Sequence, residues 1–190
     1  TDRGEWYLAD VAMAIGEPVK EVDVLRTRRR RESDPDTRAR LRVLYRRQKN
    51  WRMYIELLKE EVEELGDEQT DAKLDRLESV VETYRDEMDH DMMVVSTYRD
   101  ILELEPYHLE AIEALIERYE QMGRASDLVE MLERKVELVD DQQTRIELLE
   151  RIGQLTLDKF HNQPEAIEAY EEILRLAPEH QSAIDFLKQM

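Results

Sequence analysis

The chain repeats itself, and that limits its fold more than any other property. The segment Val94-Val95-Ser96-Thr97-Tyr98-Arg99-Asp100-Ile101-Leu102-Glu103-Leu104-Glu105-Pro106-Tyr107-His108 returns as Ala166-Ile167-Glu168-Ala169-Tyr170-Glu171-Glu172-Ile173-Leu174-Arg175-Leu176-Ala177-Pro178-Glu179-His180, 72 residues later. A second series, Leu41, Tyr45, Leu58, Val62 and Asp67, returns at Leu115, Tyr119, Leu132, Val136 and Asp141, an offset of 74. A period near 72–74 is two helix-turn-helix units of about 36 residues each. Within the units the apolar positions keep three-four spacing, as in Leu41, Leu44 and Tyr45 or Ile112, Leu115, Ile116 and Tyr119.

The breaks between helical stretches are short: Gly16-Glu17-Pro18, Lys49-Asn50, Gly66-Asp67, Met88-Asp89-His90, Pro106, Gly123, Asp140-Asp141, Asn162-Gln163-Pro164 and Pro178. Connections of this length between helices of about 13 to 20 residues make sequential neighbours antiparallel. Composition agrees. Apolar residues make up 41% of the chain and charged residues 39%, a balance that suits a thin two-layer array with much surface per residue. With no cysteine, disulfides and thiolate metal sites are excluded. No apolar run reaches the roughly 20 residues that span a bilayer.

These residues resemble the tetratricopeptide repeat family, in a bacterial-type array with an alternating pair of two-helix units. The pattern is carried by Leu41, Tyr45, Tyr54 and Leu58 in the first unit and by Val80, Tyr84, Val94, Tyr98, Ile101 and Pro106 in the second. The third has Leu115, Tyr119, Gly123, Leu128 and Leu132; the fourth has Ile152-Gly153, Ala166, Tyr170, Ile173 and Pro178. Glu61 and Lys135 stand where the family prefers a small residue, and the second and fourth units carry about one extra residue between their helices. The resemblance implies an all-α, right-handed superhelix of antiparallel hairpins. Its units are expected at 34–68, 69–106, 107–141 and 142–178, with a degenerate unit at 1–33 (helices near 4–15 and 18–32) and the start of a further one at 179–190. The chain opens on Thr1 and closes without a helix cap, so a piece of a longer array is expected, with a cytoplasmic location favoured.

In this register Tyr45, Tyr84, Tyr119, Tyr98 and Tyr170 are repeat-packing rings, and Ala166 marks a close helix crossing. The methionines and most aromatics are read as core. Trp51 begins a second helix where its counterpart is Ala125, and is read as packing before partner-anchoring; Trp6 lies in the degenerate unit.

Catalysis finds few candidates. The histidines are His90, His108, His161 and His180; His108 and His180 share a post-proline position, which suits a helix cap. No glycine-rich phosphate loop is present. The run Asp86-Glu87-Met88-Asp89-His90-Asp91 lacks the glycine and closing glutamate of a calcium loop and is read as a solvated turn. No catalytic residue, metal or cofactor is expected.

Charge is separated along the chain. Residues 20–52 hold 13 Lys or Arg against 5 Asp or Glu, whereas residues 53–190 hold 14 against 37. The basic patch comprises Arg28, Arg29, Arg30, Arg31, Arg42, Arg46 and Arg47. The family register puts Glu78, Glu82, Glu113, Glu117, Glu120, Glu147 and Glu150 on the concave groove, where relatives that clamp a peptide carboxylate carry Lys, Arg and Asn. A non-catalytic protein-interaction scaffold follows as the leading expectation, through an acidic groove for a basic segment or through charge-complementary ends that allow head-to-tail self-association. Polyanion or nucleic-acid binding through 26–52 ranks behind it, because no nucleic-acid motif accompanies the arginines. A helical accessory domain of a larger enzyme or regulator is the third reading.

Overall fold

The structure, a computed structural model, describes residues 22–27 and 35–190. Trp6, the Arg28–Arg31 run and most of the expected degenerate unit lie outside the described residues; 22–27 is helical. The chain forms two compact bodies, the first ending at His90 and the second beginning at Asp91. Among the described residues the only regular structure is helical.

The first body contains α1 (Pro35–Arg47), α2 (Trp51–Glu64) and α3 (Thr70–Glu82), which a short 3-10 turn (Asp67–Gln69) introduces and a π-helical turn (Thr83–Glu87) extends. Pro35 and Asp36 open α1 and Arg46 and Arg47 close it, so fixed φ and charge both favour its ends. Asn50 caps α2 by accepting the Met53 N–H at 3.4 Å. Tyr54, Ile55, Leu57, Leu58 and Glu61 of α2 are buried, a wide stripe that packs on α1 and on α3.

The second body contains α4 (Asp91–Leu104), α5 (Leu109–Met122), α6 (Ala125–Leu138), α7 (Gln142–Phe160), α8 (Gln163–Leu176) and α9 (Gln181–Gln189). Each helix packs on the next in sequence. Ring nitrogen Nδ1 of His108 accepts the Ala111 N–H at 3.2 Å and caps α5, the role its position predicts. Its counterpart His180 makes no such cap and lies instead 3.3 Å from the Ser182 hydroxyl. Asp141 caps α7 by accepting both the hydroxyl and the backbone N–H of Thr144, at 2.6 and 2.8 Å; these bonds hold its carboxyl below the ordinary range.

The alternation read from the sequence is written into the helix ends. Left-handed residues stand after α1, after the π-helical turn, after α5 and after α7: Lys49, Asp89, Gly123 and His161, at φ 51°, 49°, 66° and 51°. These positions keep the 74 and 72 offsets of the sequence repeat. In the odd turns the closing bond spans five residues, from the Asn50 N–H to the Tyr45 carbonyl (2.8 Å) and from the Arg124 N–H to the Tyr119 carbonyl (2.9 Å). In the even turns it spans six, from the His90 N–H to the Tyr84 carbonyl (3.0 Å) and from the Asn162 N–H to the Thr156 carbonyl (3.3 Å). The extra residue of the even units is therefore absorbed in a wider cap, and at Thr83–Glu87 in a π-helical turn.

Four of the five tyrosines expected as packing rings are buried. Tyr45 and Tyr119 are essentially sealed, Tyr84 and Tyr98 are buried, and Ala166 is fully enclosed. Tyr170 is half-buried and stacks on Phe186 of α9, with centroids 3.9 Å apart and planes at 26°. Glycine at 153 lets the Tyr170 ring approach α7: a Cβ there would stand 2.8 Å from Cε2.

Candidate functional site

On α5, Glu113, Glu117 and Glu120 are spaced by four and three residues, which places them on one helical face, and all three are exposed. On α7, Glu147 is exposed and Glu150 half-buried, three residues apart. Their partners differ. Glu113 receives Lys135 Nζ at 2.8 Å and Glu120 receives Arg151 Nη2 at 2.6 Å. Glu117 accepts the Gln121 side-chain amide at 3.1 Å and Glu147 that of Gln143 at 3.0 Å, so neither of these bonds neutralises a carboxylate. Glu150 accepts the Ser182 hydroxyl and lies 3.8 Å from His180 Nε2. Burial, then the charges of Glu150 and Asp158, raise the Tyr170 phenol above its ordinary range. In the first body, Glu82 is exposed and Glu78 half-buried on α3.

Among the described residues, four arginines of the basic segment make contacts within the fold. Arg26 donates from Nε to the Tyr45 hydroxyl at 2.9 Å with its guanidinium 5.6 Å from the ring centre. Arg38 binds Glu64, and Arg46 lies over the Tyr54 ring at 5.8 Å. Arg42 and Arg76, from α1 and α3, converge on Glu61 Oε2 at 3.3 and 2.7 Å. Glu61 is 6% exposed, and its Oε1 makes no hydrogen bond. Glu61 thus ties three helices together with charge. Its 74-residue counterpart Lys135 bears the opposite charge and reaches out to Glu113. Arg47, the remaining described member of the patch, is exposed at the end of α1.

Trp51 is half-buried and meets Tyr54 edge-on at 6.3 Å, a packing role. The acidic turn places His90 against Tyr84 at 6.1 Å, and among the described residues no group of three or more His, Asp or Glu is arranged to hold a metal ion. None of the described helices is long and apolar enough to cross a membrane.

One feature of the second body escaped the sequence reading. A cleft of about 420 Å³ lies between α5, α6 and α7, lined by the apolar side chains of Ala125, Leu128 and Leu155 with Tyr119 and by the charged Glu120, Arg151, Asp158 and Lys159. The exchange of Trp51 for Ala125 across the repeat was the available signal. Its consequence depends on how α7 passes the α5–α6 turn, which spacing does not reveal.

No family model matches the sequence, and no curated protein matches it at the level of significance required. Three of the solved structures similar to it are the following. MamA from Desulfovibrio magneticus RS-1 is 12% identical, over 94% of this chain and 96% of that one, with a TM-score of 0.39. YrrB, described as a tetratricopeptide repeat protein with an unusual peptide-binding site, is 12% identical over 95% and 88%, with a TM-score of 0.41. A thermophilic tetratricopeptide repeat protein of Thermus thermophilus is 14% identical over 100% and 98%, with a TM-score of 0.34.

Proposed function

We propose that the chain is a non-catalytic protein-interaction scaffold that binds a Lys- or Arg-containing segment on the carboxylate face of α5 and α7. The observation that supports this reading is the exposed face of Glu113, Glu117 and Glu120 on α5, linked to α7 through Glu120 and Arg151 at 2.6 Å, with Glu117 and Glu147 bonded to neutral amides. Carboxylates of this kind keep their charge for an incoming cation, and they repel acidic or carboxylate-terminated peptides. The interaction is chiefly electrostatic, so it weakens as salt rises.

The test uses a fluorescent Lys/Arg-rich peptide and an acidic peptide of equal length, titrated with the 190-residue chain. Glu117→Lys with Glu147→Lys is the informative variant, because it reverses charge without removing the partners of Lys135 or Arg151. The basic peptide should bind the natural chain and lose at least about tenfold in affinity in the double variant. Equal affinity for both peptides, or unchanged binding after the reversal, rejects the reading.

A further inference from the structure

The residues of the cleft beside the α5–α6 turn have larger counterparts at the 74-residue offset in the same chain. At the 74-residue offset, Ala125 corresponds to Trp51, Leu128 to Tyr54 and Glu120 to Arg46. In the first body these three form a set: the Trp51 ring meets Tyr54 edge-on at 6.3 Å, and the Arg46 guanidinium lies 5.8 Å from the Tyr54 ring centre. In the second body an indole has become a methyl, a phenol has become an isobutyl, and a cation has become an anion. The space is open there, at about 420 Å³, and its wall includes Ala125, Leu128 and Leu155.

We propose that this cleft receives an aromatic side chain of the bound peptide, with a Lys or Arg next to it directed at Asp158 and at Glu117, one turn from the rim on α5. The partner then supplies in trans the aromatic and cationic groups that Trp51 and Arg46 supply in cis. The inference rests on the acidic-face reading and adds to it a sequence requirement: charge alone is not sufficient. An aromatic ring suits the site because it carries a large apolar area at low conformational cost. Glu120 is held by Arg151 at 2.6 Å, a pair that fixes one edge of the cleft and leaves its apolar wall accessible.

The test compares two labelled peptides, Lys-Arg-Trp-Arg-Lys and Lys-Arg-Ala-Arg-Lys, binding to the 190-residue chain by fluorescence anisotropy. The tryptophan peptide should bind at least about tenfold more tightly, as expected for one buried aromatic anchor. Ala125→Trp fills the cleft from within and should erase that preference. Leu155→Gln, at a half-exposed position, makes the wall polar and should reduce the preference should Ala125→Trp fail to fold. Equal binding of the two peptides overturns the cleft assignment but leaves the acidic face standing; absence of binding by either overturns both. A preference for tryptophan that survives in both folded variants also overturns the assignment. If the chain dimerises and Ala125→Trp returns it to monomer, the occupant is a second copy, and the peptide assignment falls.

Discussion

Gly153→Ala tests the packing logic of the second body at its tightest point. The added Cβ would lie 2.8 Å from Tyr170 Cε2, 3.2 Å from Cδ2 and 3.4 Å from Cζ. Carbon atoms pack best at about 3.5–4.0 Å, so the ring must retreat by roughly 0.7 Å or more. It has little room to do so, because its other face is stacked on Phe186 at 3.9 Å. Overpacking of this kind costs about 1–3 kcal/mol, and the helix-propensity gain of Ala over Gly returns about 1 kcal/mol. The net expectation is a loss of about 1 kcal/mol, up to about 2, and for a chain of this size each kcal/mol lowers Tm by about 2–4 °C. The assay is a thermal melt followed by far-UV circular dichroism, carried out as a double-mutant cycle with Tyr170→Leu. In the Tyr170→Leu background the obstacle is gone, and Gly153→Ala should raise Tm. If Gly153→Ala stabilises the natural chain, or if its effect is the same in both backgrounds, the close approach of ring and helix is wrong.

Three further outcomes follow from the same structure. Lys49→Gly and His161→Gly should each raise stability by about 0.5–1 kcal/mol in denaturant melts, since both residues sit in the left-handed region that favours glycine; Gly123→Ala, at the equivalent turn, should cost about 1 kcal/mol. Ala166→Leu should cost about 1–3 kcal/mol, because Ala166 is fully enclosed at a helix crossing, and an unchanged melt would refute that register. Glu133→Gln should raise Tm at pH 7 and have little effect near pH 4. Desolvation at this otherwise exposed residue, then Glu165, Glu130 and Glu137, raise the folded-state pKa of Glu133 above its ordinary value, so its ionisation lowers stability as pH climbs from that value through the raised one. A melt series from pH 4 to pH 7 that shows the opposite trend would reverse the sign of this argument.

Repetition made the fold legible. Any side chain that recurs at 72 or 74 residues occupies the same place in a hairpin, so Tyr45 with Tyr119 and Val94 with Ala166 revealed the helices, their order and their buried faces before any coordinate. The same arithmetic exposed the odd-even alternation, which the structure expresses as closing bonds spanning five or six residues. Helical spacing alone likewise places Glu113, Glu117 and Glu120 on one face of α5.

The rest depended on neighbours far away in sequence. Arg42 and Arg46 belong to a basic patch in the sequence, but in the fold α2 brings Glu61 and Tyr54 to them. Glu61 read as a misfit until α1 and α3 placed two guanidiniums on one of its oxygens. The cleft at Ala125 follows the same rule: sequence recorded that a tryptophan had become an alanine, but only the path of α7 decided whether the lost volume closed up or stayed open. Local periodicity thus determined the elements and their buried stripes, because those depend on spacing within one helix. Charge pairing and empty space depend on where three helices meet, and tertiary structure alone settled them.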